Sequence, residues 1–105
     1  MVDEITPREL AAKLDTEGLQ ILDVREQWER ELCHVPDSIH IAMGEIPGRL
    51  GDLDPARPVA VLCHHGMRSM QVALFLADQG FPAVANITGG IDRWASEVDP
   101  SLARY

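Results

Sequence analysis

Cys63 stands where the chain changes character. It closes an apolar run, Val59-Ala60-Val61-Leu62-Cys63, and opens a polar loop, His64-His65-Gly66-Met67-Arg68, that leads into a helix-like stretch from Ser69 onward. A cysteine at the carboxyl end of a buried strand, facing the amino end of a helix, meets unpaired backbone N–H groups and the positive end of the helix dipole, and both favour an anion. The thiolate is the form of cysteine that attacks, so this position suits nucleophilic catalysis with a covalent intermediate. The residues around it have readable parts. Gly66 suits a backbone with positive φ. Ser69 suits a helix cap or a weak hydrogen-bond donor to the sulfur. His64 and His65 are candidate general acids or ligand contacts, or simply exposed loop residues.

The flanking chain must hold that loop. Thr6-Pro7-Arg8-Glu9 is a helix start, with Thr6 as cap, Pro7 in the first turn and Glu9 closing a capping box; Leu10, Ala11 and Leu14 form its inner face. Residues 19–24 read as a strand, and 25–32 as a short charged helix with Trp28 and Leu32 on one face. A short strand follows over 38–42, then a helical turn over 45–50 and a polar turn over 52–58. The run at 59–63 does not alternate, as expected of a central parallel strand buried on both faces. Residues 69–79 form a helix that Gly80 ends and Pro82 blocks. A further strand spans 83–87, Gly89-Gly90 makes a turn, and a last helix over 91–98 carries Trp94. Trp28 and Trp94 are expected in the core, and the tail over 100–105 loosely docked. Alternating strands and helices predict an α/β fold, a mainly parallel sheet of about five strands covered by helices on both faces. Ligands sit beyond the carboxyl ends of such strands. Val24 and Cys63 both reach that edge, which places Arg25 near the Cys63 loop.

The 105 residues fit one domain, 1–105, with 46% apolar and 25% charged residues. A net charge of −8 argues against nucleic acid and anionic membranes as partners. It leaves room for an anionic small molecule held by backbone N–H groups. Two cysteines, Cys33 and Cys63, make no disulfide framework. No segment resembles a leader or a membrane span, and the expected setting is the reducing cytoplasm.

Four blocks in order give the chain a family likeness. Leu22-Asp23-Val24-Arg25-Glu26 is similar to an LDVRE segment. Cys33-His34-Val35-Pro36-Asp37-Ser38-Ile39-His40-Ile41 is similar to GHIPGAIHI. Cys63-His64-His65-Gly66-Met67-Arg68 is similar to an active loop, and Gly89-Gly90-Ile91-Asp92-Arg93-Trp94 to a GGxxxW segment. Together they resemble a single-domain rhodanese of the sulfurtransferase family. The resemblance implies that Cys63 takes the outer sulfur of a donor such as thiosulfate, keeps it as a persulfide, and gives it to a thiol or cyanide acceptor, with no cofactor. It implies that the loop, His64 to Ser69, keeps the sulfur anionic and holds the donor's charge, Arg68 bridging two anionic oxygens.

Other readings belong beside this one. Related phosphatases share the fold but have a loop one residue longer between cysteine and arginine; the shorter loop favours sulfur over phosphate. A persulfide relay between proteins, or a non-catalytic interaction domain, would use the same scaffold. Asp23 and Arg25 read as an ion pair bracing the strand edge, with attraction of an anionic donor as the alternative for Arg25. Cys33 and Asp37 replace glycines of the family pattern, so Cys33 is expected to be strained if its φ is positive. Cys33 could also serve as a resolving thiol if its Cα lies within roughly 7 Å of that of Cys63. The histidines and cysteines lack zinc-type spacing, and adjacent His64 and His65 are expected to point apart, so no metal is expected.

Overall fold

The apolar run ending at Cys63 lies in the middle of a parallel sheet. The computed structural model describes residues 2–13 and 18–105. In chain order these form β1 (Val2–Ile5), α1 (Pro7–Lys13), β2 (Gln20–Asp23), α2 (Gln27–Leu32), β3 (Ile39–His40), two 3-10 turns (Met43–Gly48 and Leu50–Asp52), β4 (Val59–Leu62), α3 (Met67–Asp78), β5 (Val84–Ile87) and α4 (Gly90–Glu97). The strand order is β1-β5-β4-β2-β3, and every pairing is parallel. The expected α/β architecture is therefore present.

Successive side chains of a strand point to opposite faces, and β4 shows why its sequence does not alternate. Val59, Val61 and Cys63 pack on one face with Leu22, Val24 and the α3 residues Val72, Ala73 and Leu76. Ala60 and Leu62 pack on the other with Ile21, Ile87, Leu10 of α1, and Ile91 and Trp94 of α4. Both faces are covered, so both need apolar residues. At the start of α1 the Thr6 amide donates to Glu9 Oε1 at 2.9 Å and the Glu9 amide to Thr6 Oγ1 at 3.2 Å, the reciprocal box the sequence implies.

Several expectations need correction. β1 is an edge strand in register with β5, from Val2 opposite Val84 to Ile5 opposite Ile87; its polar centre, Asp3-Glu4, gives no apolar run to read. Trp28 is 58% and Leu32 50% exposed. The face of α2 that looks inward carries Glu29 instead, because that carboxylate is met there by the Arg68 guanidinium and the Tyr105 hydroxyl. Ala11 is exposed, and α1 is buried through Pro7 and Leu10; Leu14 lies outside the described residues. Cys33 has φ −165°, ordinary extended backbone. The positive φ falls on Asp37, at 65°, a conformation that Asp tolerates better than most side chains. The tail is fastened: Leu102 packs on the Trp94 side of the core, and Arg104 donates to Asp92 Oδ1 at 3.1 and 2.9 Å.

Candidate active site

The loop after β4 is shaped from two sides. On one side α4 takes hold of its carbonyls. The Ile91 amide donates to Cys63 O at 2.8 Å and the Asp92 amide to His64 O at 3.2 Å. These are first-turn N–H groups that α4 cannot satisfy internally. Gly90 makes the approach possible: its φ is +61°, and a Cβ there would overlap the carbonyl oxygens of Cys63 and His64. The Gly-Gly of the sequence is thus a packing surface for the loop as well as a turn.

On the other side α3 begins. Its N-cap is Gly66, at φ 110°, and Met67, Arg68 and Ser69 already lie in its first turn. Ser69 is therefore not the cap. It is fully buried inside the first turn. The left-handed conformation of Gly66 turns its amide onto the sulfur, with Gly66 N 3.0 Å from Cys63 Sγ. Ser69 Oγ lies 3.3 Å from the same sulfur and 2.5 Å from Asn86 Oδ1 of β5. Asn86 in turn donates to Gly66 O at 3.1 Å, and its amide nitrogen lies 3.3 Å from Glu4 Oε2 of β1. A serine hydroxyl has one proton. While Asn86 accepts it, the Cys63 thiol donates to Ser69; once the sulfur is anionic, that hydroxyl can turn to it. Cys63 is 1% exposed, so the sulfur lies at the floor of this cup.

Arg68 reaches across to α2 and grips Glu29 with two hydrogen bonds, 2.7 and 2.8 Å. Glu29 is 2% exposed, and it also accepts the Glu26 amide at 2.8 Å and the Tyr105 hydroxyl at 2.7 Å. The hydrogen bonds from Arg68 outweigh burial and hold the Glu29 carboxyl down to about 2. The same bonds hold Arg68 firmly protonated. The two anionic oxygens that Arg68 bridges here are those of Glu29. Two of its five N–H donors are used in this way.

Asp23 and Arg25 form the ion pair the sequence suggests. Both are 0% exposed, joined at 2.9 and 2.8 Å. Burial works against the charge on Arg25, but hydrogen bonds to Asp23 and Tyr105 outweigh it and keep the guanidinium protonated. Arg25 also donates to Cys33 O at 2.7 Å and Glu29 O at 3.2 Å, so it braces α2 and the segment beyond it from within the core. It reaches the loop indirectly, through Tyr105 and Glu29. Cys33 itself packs on the face of the sheet opposite to Cys63, which works against a resolving role.

His64 and His65 do not point apart. Their rings stack at 3.9 Å, and the Tyr105 ring stacks on His64 at 3.9 Å. Burial lowers the His64 imidazole below its ordinary value, and repulsion from His65 adds to this. Among the described residues, these two histidines and Asp92 form the group that could hold a cation, their ligand atoms lying within 4.8 Å. Near-parallel rings direct their lone pairs side by side rather than to one point, however, and Asp92 is already engaged by Arg104. Met67, 79% exposed, stands at the loop rim.

Sequence reasoning missed Glu29, Asn86 and Tyr105. Asn86 had a signal, a lone amide in the apolar strand Val84-Ala85-Asn86-Ile87. Glu29 had another, an acidic residue three after Glu26, where a capping box closes. Tyr105 had none.

The family profile of the Rhodanese-like domain matches residues 6–97. The chain belongs to this family. Among its rhodanese-like relatives, a protein named sulfurtransferase from Allochromatium vinosum is 36% identical over 104 residues, covering 98% of this chain and 97% of the relative. The thiosulfate sulfurtransferase GlpE of Actinobacillus pleuropneumoniae is 33% identical over 102 residues, covering 97% and 94%. Among solved structures, a rhodanese-like domain protein from Staphylococcus aureus superposes with a TM-score of 0.85 at 30% identity, over 99% of each chain. Among the described residues no helix is long and apolar enough to cross a membrane.

Proposed function

We propose that this rhodanese-like domain is a sulfurtransferase in which Cys63 carries the sulfur, with thiosulfate or a similar sulfane donor and a thiol or cyanide acceptor. The observation that carries this reading is the cup around Cys63 Sγ, made by the Gly66 amide at 3.0 Å and the Ser69 hydroxyl at 3.3 Å. The Gly66 amide is a neutral donor already aimed at the sulfur and stabilises its anion without reorganising, and the Ser69 hydroxyl joins it by turning from Asn86.

The Cys63 thiolate attacks the outer sulfur of the donor. A new S–S bond forms, the sulfur–sulfonate bond breaks, and sulfite leaves with the electron pair. The persulfide's outer sulfur is then attacked by the acceptor, and Cys63 departs as thiolate. The Gly66 amide and the Ser69 hydroxyl hold Cys63 Sγ when it is a thiolate, before it attacks the donor and again as it departs from the persulfide. The N–H donors of Arg68 not used by Glu29 serve the sulfonate. His64, His65 and Met67 line the loop without a step of their own. Asp23 and Arg25 support it from the core.

The relay between proteins is the second reading. The chain is 35% identical over 99 residues to a Bacillus subtilis protein whose name describes a sulfur carrier, though it spans 54% of that relative. The exposed Met67 beside the sulfur loop is compatible with a protein surface arriving there. Steady-state kinetics with thiosulfate and cyanide test the main proposal. Two-displacement chemistry gives parallel lines in double-reciprocal plots, and Cys63→Ser abolishes turnover. Intact turnover in that variant would refute it. A thiosulfate KM far above metabolite levels, with fast transfer from a persulfidated protein, would favour the relay.

A further inference from the structure

The segment after α4 returns to the site and reaches both ends of the loop, one directly and the other through Glu29. Asp92 holds it through Arg104, and the core holds it through Leu102, so Tyr105 is delivered by an anchored chain. Its ring stacks on His64, the residue directly after Cys63, at 3.9 Å and 12°. Its hydroxyl donates at 2.7 Å to Glu29 Oε1, the same oxygen that receives Arg68 Nη2 at 2.8 Å. It accepts from Arg25 Nη1 at 3.1 Å. The Trp28 ring meets it edge-on at 5.9 Å. One side chain thus touches position 64 directly and position 68 through a single carboxylate.

We propose that Tyr105 is a positioning residue for sulfur transfer, clamping the loop at His64 with its ring and at Arg68 through Glu29 with its hydroxyl. The inference rests on the reading of Cys63 as the sulfur carrier. Its two arms act on different parts of the reaction. The hydroxyl fixes the carboxylate that aims Arg68, and so sets how the donor's anionic end is held. The ring fixes the loop's first residue after Cys63, and so sets how the cup meets the sulfur. Burial pushes the Tyr105 hydroxyl up to about 12, so it remains a donor through the working pH range.

Two variants separate the arms. Tyr105→Phe keeps the ring and removes the hydroxyl; the expected result is a thiosulfate KM raised about 3- to 5-fold with kcat within about 2-fold, the size of one lost hydrogen bond. Tyr105→Leu removes both; kcat is expected to fall about 10-fold further, as misplacement of a reacting group does. Restoration of kcat, but not of KM, by Phe separates positioning from general destabilisation, which would lower the folded fraction in both. Proton NMR gives a readout independent of activity. The His64 ring protons, sandwiched between two aromatic rings, are expected upfield in the wild type and in Tyr105→Phe, and displaced downfield in Tyr105→Leu. Wild-type kcat and KM in Tyr105→Leu, or unmoved His64 resonances, would overturn the clamp. Absence of added sulfur on wild-type Cys63 would instead remove the enzymatic reading, and the His64 resonances would still decide whether the ring is clamped.

Discussion

At the scale of single residues, the sulfur's partners were only partly legible. Cys63 and Gly66 were legible because a strand, a loop and a helix meet there in the sequence, whereas the pairing of Arg68 with Glu29 was not. Ser69 was legible as a sulfur partner, although not as the inner-turn residue it is. Its link to Asn86 depends on β5 lying beside β4, which no local pattern encodes. Ser69→Ala removes the one hydroxyl on Cys63 Sγ. It is expected to lower kcat about 3- to 10-fold, close to 1 kcal/mol of lost hydrogen bonding, and to leave the fold intact. Stopped-flow measurement of persulfide formation checks this, and an unchanged rate would show that the Gly66 amide suffices without the hydroxyl.

At the scale of elements, the loop is a joint between α3 and α4. Both helices begin with left-handed glycines, Gly66 at φ 110° and Gly89 at φ 77°. Gly66 and Gly90 are needed for different reasons. At Gly66 a Cβ has room, its nearest neighbour being Gly89 N at 3.5 Å, so Gly66→Ala costs only backbone strain, about 1–2 kcal/mol. At Gly90 the Cβ meets the loop's own carbonyls, so Gly90→Ala is expected to cost about 2–4 kcal/mol and to displace Cys63. Urea melts should rank Gly90→Ala well below Gly66→Ala; equal midpoints would contradict the packing role of α4. The helices and four of the strands were legible from periodicity and glycine stops. β1 was not, because an edge strand needs little apolar surface. The inward carboxylate of α2 was not, because an apolar stripe at 28 and 32 ordinarily marks the buried face.

At the scale of the whole molecule, charged groups bind the two halves of the site together. Glu29 joins α2, the loop and the tail, and its carboxyl is lowered from its ordinary 4.5 to about 2. A carboxyl lowered by folding contributes stability above its unfolded value and loses it as pH falls through the folded one. His64 works in the same direction. Its imidazole is lowered by burial, so the unfolded chain takes the proton more readily and stability falls as pH drops below about 6.5. Acid unfolding is therefore expected in two stages, a shallow loss below neutrality and a steeper one between about 4.5 and about 2. Glu29→Gln should cost about 1–3 kcal/mol at neutral pH and flatten the steeper stage. Circular dichroism melts across pH check both, and an unflattened acid limb would place the acid lability elsewhere. The fold class and sheet direction were legible in the alternation of strands and helices. The tail's return to the loop was not, because position 105 finds its partners only after the sheet has brought α2, β4 and α4 together. The most direct measurement is the intact mass of the protein after incubation with thiosulfate, followed by peptide mapping. The expected result is a single added sulfur atom on the peptide containing Cys63, removed by cyanide; no added mass, or a sulfur mapped to Cys33, would contradict it.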